Sequence, residues 1–182
     1  MAGRPHVRRG LLLALIAGLA AASILPAAVT PARASSGTTL ARLDAGVLAR
    51  LNEIRVLHGL VPLRLNPDLS ASAAQHSREM GADGYFEHAS ADGTAFWQRI
   101  AQWYGSTGYA YWSVGENLLW SSPDVDSTEA LRLWMNSPPH RANILDPHWR
   151  EIGVAAVHIP AAPGTFHGLS VTIVTTDFGV RR

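Results

Sequence analysis

The stretch WMNSPPHRANIL, residues 134–145, sets His140 three positions after Ser137 and directly behind two prolines that no helix interior accepts. Three more polar residues stand in contexts where a purely structural role is costly: His76, His88 in GYFEHAS, and Glu116 in VGENLLW. Neutral imidazoles ligate metals or accept protons near neutral pH, and a carboxylate can do the same or orient an imidazole. Two imidazoles and one carboxylate, here His88, His140 and Glu116, make the protein ligand set of many catalytic zinc sites, with a fourth position open to water. The same residues permit a metal-free arrangement in which Glu116 orients a histidine that acts as base. Glu116 is flanked by residues that bury it, so a histidine, an arginine or a metal should face it. No two of these residues share a helical turn in the manner of a local metal motif.

The elements that must position them can be read from local patterns. Leu40, Leu43, Val47, Leu51, Ile54 and Leu57 recur at helical spacing after a small-residue leader, Ser35–Thr39, and Gly59 marks the stop. Asn66-Pro67-Asp68 reads as an N-cap, a first-turn proline and an acid favourable to the helix dipole. The buried stripe of that helix is Leu69, Ala73, His76 and Met80, and Gly81 is expected to open the loop GADGYFEHASADG. His76 on this stripe reads as a scaffold residue, a buried neutral imidazole bonded to a backbone or hydroxyl group. Thr94 is expected to cap a third helix carrying Phe96, Trp97, Ile100 and Tyr104. Tyr109–Trp120 reads as an irregular strand. Asp126 and Glu129 open a further helix that must end before Pro138. Ser137-Pro138 then repeats the cap-plus-proline start, making His140 the third residue of a short helix stopped by Asp146-Pro147. Glu151–Ile159 and Leu169–Asp177 form an antiparallel hairpin. Helices first and paired strands last give an α+β layered domain.

The N-terminus bounds where this domain works. Arg4, Arg8 and Arg9 precede an apolar run, Leu11–Ala22, and Ala32-Arg33-Ala34 supplies small residues at a cleavage point, the three-part layout of a secretory signal. Pro26 interrupts the weakly polar continuation, and the strongly apolar part falls short of the roughly 20 residues of a spanning helix. Residues 1–34 are therefore expected to be removed, leaving 148 of 182 residues, room for one domain and no stable membrane span. The signal takes four arginines and no acid, so the mature chain holds 11 basic against 14 acidic residues, a formal charge of −3. No basic run survives to contact a phosphate backbone, which argues against nucleic acid. The absence of cysteine means that this exported domain relies on packing and not on disulfides.

GYFEHAS, GENLLW and WMNSPPHRANIL, in that order after LNEIRVLHGLVPLRLNPDLSASAAQHSREM, resemble the CAP superfamily of cysteine-rich secretory, antigen five and pathogenesis-related proteins. The likeness is to its short bacterial, disulfide-free branch, the SCP-like extracellular proteins. It covers residues 47–178, with residues 35–46 as leader and start of the first helix and 179–182 as a tail. The resemblance implies an α-β-α sandwich with a central antiparallel sheet and a cleft lined by two histidines and acidic residues. On that pattern His88-Ala89-Ser90 is the His-Ser motif, Gly115-Glu116-Asn117 the Gly-Glu-Asn motif and His140 the second cleft histidine, with His76, Asn117 and Ser137 in support. Members outside bacteria carry a further glutamate three residues after the helix tryptophan. Here that place, after Trp134, is Ser137, which leaves a less negative site and a weaker hold on zinc.

Two functional classes follow for an extracellular or cell-envelope protein. One is a binding module whose cleft takes a lipid, an envelope component or a protein partner, with the histidines structural or bridging a zinc ion. The other is a protease- or esterase-like hydrolase using His88 or His140 as base, or a zinc-held water, in the same cleft. A nucleophile is the missing part. There is no Gly-x-Ser-x-Gly elbow and no cysteine, Ser90 and Ser137 are near only in sequence, and Ser137 is already explained as an N-cap. Binding therefore ranks ahead of catalysis.

Overall fold

A computed structural model describes residues 32–182, and the expected signal segment, up to residue 31, lies outside the described residues. The chain runs α1 (Ala32–Leu57), β1 (Arg64–Leu65), α2 (Pro67–Asp83), α3 (Phe96–Trp103), β2 (Trp112–Ser121), α4 (Ser127–Asn136), α5 (Pro138–Ile144), β3 (Glu151–Ile159), a 3-10 turn at Gly164–Phe166 and β4 (Val171–Arg181). Among the described residues no helix is long and apolar enough to cross a membrane.

The sheet order is β1-β3-β4-β2. The three long strands are antiparallel, and two-residue β1 adds a parallel edge through Arg64↔Glu151 and Leu65↔Ile152. The expected central antiparallel sheet is present, and its parallel edge β1 is too short to carry an alternating sequence pattern. Central β4 is buried on both faces, and its side chains alternate between two cores. Val174, Phe178 and Val180 pack with Val47 and Leu51 of α1, Leu131 and Trp134 of α4 and Ile144 of α5. On the opposite face Val171 and Ile173 meet Met80 of α2, while Leu69 packs with Ile100 of α3. The result is an α-β-α sandwich with α1, α4 and α5 on one side and α2 and α3 on the other.

Local chemistry sets the helix ends that matter. Asn66 Oδ1 accepts from the N–H groups of Asp68 and Leu69 at 2.9 and 3.2 Å, the cap expected from Asn-Pro. Asp126 Oδ1 likewise accepts from Glu129 N–H at 2.9 Å. Other boundaries differ from the sequence reading. The leader Ser35–Thr39 is inside α1. Gly81 lies within α2, where a Cβ would sit 2.5 Å from Ile159, and the left-handed cap is Gly84. Ala95, not Thr94, precedes α3, its N–H bonded to Gln98 Oε1 at 3.2 Å, while Thr94 turns back to Asp92. β4 continues to Arg181, so residues 179–181 belong to the sheet and not to a tail.

Buried Arg55 ties α1 to α5. Its Nη1 donates to the carbonyls of Ile144 and Asp146 at 2.7 and 2.9 Å, where α5 leaves acceptors without helical partners. On the other side of the sheet, α2 lies so close to β3 that a Cβ on Gly153 would come within 2.1 Å of the Leu69 backbone. Backbone cannot yield as a flexible side chain can. Gly153→Ala is expected to destabilise the fold by about 3 kcal/mol through this overpacking, measured by urea denaturation; an unchanged midpoint would contradict the close approach.

Candidate functional site

Glu116 lies in the middle of β2, an edge strand, with its side chain on the α2/α3 face and directly opposite Asp177 of β4. Its main-chain carbonyl accepts from Asn143 Nδ2 of α5 at 2.9 Å, and the Leu118 carbonyl accepts from Trp134 Nε1 of α4 at 3.0 Å. The free edge of β2 is therefore sealed by side chains from α4 and α5. Since the Glu116 carbonyl faces that edge, Glu116 and Asp177 form a non-hydrogen-bonded pair, the kind that brings opposing side chains closest.

Buried Glu116 has two of the three partners its burial demanded. Oε1 accepts from His88 Nδ1 at 2.7 Å, and Oε2 is held by Nη2 of Arg99, a fully buried arginine on α3. Arg99 Nη1 donates to the His88 carbonyl at 3.0 Å and reaches Ser90 Oγ at 3.4 Å, fixing the loop that carries His88 from both ends. His76, buried on α2, donates Nε2–H to the Glu87 carbonyl at 2.9 Å. It is a scaffold residue that pins the same loop. Burial holds its pKa below the ordinary histidine value, so the ring stays neutral.

His140 enters from the other layer. It is the third residue of α5, and its Nδ1 lies 2.8 Å from Ser137 Oγ. The Ser137 backbone takes the extended N-cap conformation, but its hydroxyl serves the imidazole instead of an N–H of the first turn. Asn117, the neighbour of Glu116 and on the opposite face of β2, donates to the His140 carbonyl at 3.1 Å and accepts from Asn143 at 3.1 Å. Gly115 leaves room for this joint: a Cβ there would meet Asn143 Oδ1 at 3.0 Å and Trp149 at 2.9 Å. Burial, with the nearby charge of His88 in a lesser part, lowers the pKa of His140.

Both Glu116 oxygens are engaged, so a zinc ion liganded by His88, Glu116 and His140 together would have to displace Arg99 or His88 from the carboxylate. Among the described residues no group of three or more His, Cys, Asp or Glu is disposed to hold a metal. The donors left without a protein partner among those residues are Nε2 of His88 and Nε2 of His140, while Glu116 stands behind His88 as an orienting carboxylate. Two imidazole nitrogens fall short of the three protein ligands of a catalytic zinc.

Two residues of the site were not singled out from sequence, Arg99 and Asp177. Arg99 immediately precedes buried Ile100 and lies three positions after Phe96, on the inward face of α3, where an arginine requires an acid. Asp177 continues the alternation Val171, Ile173, Thr175, which turns it to the interior. It is fully buried, neither oxygen makes a hydrogen bond of good geometry, and Ser72 and Glu116 are its polar neighbours. Burial first, and then the charge of Glu116, push its pKa well above the carboxylate range. Asp177 is therefore the neutral member of the pair, and Glu116 is the one that Arg99 holds.

A model of the Cysteine-rich secretory protein family (CAP) matches residues 48–174. The Bacillus subtilis protein YkwD is 33% identical over 124 residues, which are 68% of this chain and 46% of that protein. The chain thus spans less than half the length of that relative. Among solved structures, an extracellular SCP-domain protein of Bacillus anthracis aligns with TM-score 0.62 at 24% identity, over 86% of this chain and 45% of its own. An outer surface protein of Borrelia burgdorferi aligns with TM-score 0.55 at 19% identity, over 75% and 90%. These two likenesses concern the fold.

Arg99→Met strands the Glu116 charge in the interior and is expected to cost about 3–5 kcal/mol, most of it recovered when Glu116→Gln is added. Urea denaturation of the single and double variants checks this, and additive losses would refute the pairing. Asp177→Asn is expected to be at least as stable as wild type at neutral pH. There the unfolded wild-type chain gains by releasing a proton that the folded one must keep. The advantage of the variant should shrink as pH falls from neutral towards the ordinary carboxylate range and level off below it, and an advantage that grows with acid would reverse the assignment.

Proposed function

This chain belongs to the cysteine-rich secretory protein (CAP) family, and from that membership we propose that it is a secreted binding module whose His88/Glu116/His140 cleft takes a lipid, an envelope component or a protein partner. The observation that carries this reading is the engagement of Glu116. Its charge is neutralised by Arg99, its other oxygen is spent on orienting His88, and among the described residues the hydrogen-bond partner of the His88 ring is that carboxylate and not a hydroxyl. The cleft presents two imidazoles, and its carboxylate stands behind His88 and not behind His140, the one beside a hydroxyl, an arrangement suited to recognising a ligand. A zinc ion enters this reading as a bridge between His88 and His140. Secretion is supported by the basic, apolar and small-residue segments at the N-terminus and by relatives described as extracellular or outer-surface proteins.

The contact between Ser137 and His140 favours a second reading, a hydrolase in the same cleft. Ser137 and His140 supply a hydroxyl and a base, but the carboxylate that would orient the base stands on His88 instead. The test separates the two. Mature protein secreted by its native host is extracted and the extract analysed by mass spectrometry, beside His88→Ala and His140→Ala proteins. A co-purifying molecule depleted in both variants is the expected result. Added zinc should raise the thermal stability of wild type and of neither variant. Turnover of peptides or esters that His140→Ala abolishes, with no bound molecule found, would replace the binding reading by the hydrolytic one.

A further inference from the structure

A second histidine constellation lies on the α1/α4 face of the sheet, five positions along β4 from Asp177 and on the opposite side. His158 of β3 and Thr172 of β4 are partners in register, so their side chains stand together. His158 Nδ1 is 3.1 Å from Thr172 Oγ1, and Nε2 is 3.2 Å from Oγ of Ser170, a half-buried residue just before β4. Asp124 Oδ1 lies 3.6 Å from Nδ1. Imidazole is thus bracketed by a serine hydroxyl on one nitrogen and, on the other, by a threonine hydroxyl backed by a carboxylate.

Hydrogen-bond bookkeeping fixes the direction of this chain. Buried Thr172 has one hydroxyl proton and two neighbours that can only accept it, the Pro123 carbonyl at 3.2 Å and Asp124 Oδ1 at 3.4 Å. Its oxygen is therefore the acceptor toward His158. With the Thr172 proton given to Pro123 or Asp124, the imidazole proton sits on Nδ1 and Nε2 accepts from the Ser170 hydroxyl. That is the polarity of a serine nucleophile joined to its general base, with Asp124 placed to stabilise the imidazolium that forms. A groove of about 590 Å³, lined by Leu40, Leu43, Val125 and Arg42, adjoins this cluster through Thr172 and Asp124, with Ser170 and His158 outside its lining. Its apolar side chains suit a small acyl or alkyl group.

We propose that Ser170, His158, Thr172 and Asp124 form a second site, separate from the His88/Glu116 cleft, that hydrolyses carboxylic esters with a small apolar group. Ser170 Oγ attacks the ester carbonyl carbon while its proton passes to His158 Nε2. The bond from that carbon to the alcohol oxygen breaks, and His158 returns the proton to the departing alkoxide. Water then attacks the acyl-serine with its proton going to the same nitrogen, and the acid leaves as Ser170 recovers its hydrogen. Ester and water become acid and alcohol. The inference does not rest on what the other cleft binds.

The mature protein is incubated with a fluorophosphonate and, separately, with an activated aryl acetate, and the modified residue is located by peptide mass spectrometry. Modification at Ser170 is expected, slowed at least about 100-fold in His158→Gln. Thr172→Val keeps the buried shape and removes the oxygen that fixes the tautomer, so it too should slow modification. Ser106→Ala, on an exposed loop, should leave the rate unchanged. Circular dichroism establishes that each protein is folded. Folded wild type left unmodified at Ser170, or modified equally fast in whichever of His158→Gln and Thr172→Val folds, overturns the proposal.

Discussion

The ion pair between Arg99 and Glu116 is the constraint around which the rest of the site is arranged. Both residues are buried, and two charges removed from water hold together only when geometry and further hydrogen bonds compensate their desolvation. Arg99 meets that requirement by spreading its donors over Glu116, the His88 carbonyl and Ser90. One guanidinium cannot balance two carboxylates, and Asp177 stands across the strand from Glu116. The neutral form of Asp177 resolves the conflict: the pair carries one negative charge against one positive one. Glu116 is thereby held through both oxygens, and one of them orients the ring of His88 that donates to it.

The alternation of β2 then explains how a single short motif serves two layers. Glu116 points to the α2/α3 side and collects Arg99 and the His88 loop, while Asn117 points to the α5 side and collects His140. Gly115 gives Asn143 and Trp149 their approach. Gly-Glu-Asn is thus a junction between helical layers that never touch through the sheet, and His88 and His140 arrive at it from opposite faces. Arg55 holds the far end of α5, so the helix carrying His140 is fixed at both ends by side chains from other elements.

What could be read from the sequence was what local physics determines. Asn66-Pro67 and Asp126 announce their helices because a cap and the N–H donors it serves lie within three residues of each other. The proline pair before His140 resets the chain for the same reason. The requirement that Glu116 be faced by a cation or imidazole was also legible, since it follows from burial alone. Which cation was not: Arg99 lies 17 residues away, on a helix whose apolar positions masked it. Gly81 misled because a glycine can mark close packing as well as a helix end, and only Ile159, far along the chain, distinguishes the two. β1 escaped because two residues of parallel pairing leave no periodicity to detect.

The two histidine–hydroxyl pairs, His140 with Ser137 and His158 with Ser170, show why proximity to a serine does not by itself make a base. In the first pair nothing engages the remaining ring nitrogen among the described residues, so the position of the proton is free to follow whatever the cleft binds. In the second, the far nitrogen faces a hydroxyl whose own proton is committed to Pro123 or Asp124, and the tautomer is determined before any substrate arrives. Preorganisation of this kind favours proton transfer, because no reorientation is required at the moment of reaction. An unfixed imidazole has the opposite use: it can donate, accept or ligate as the ligand requires. What separates the two proposed roles, recognition at His140 and chemistry at His158, is the partner on the second ring nitrogen.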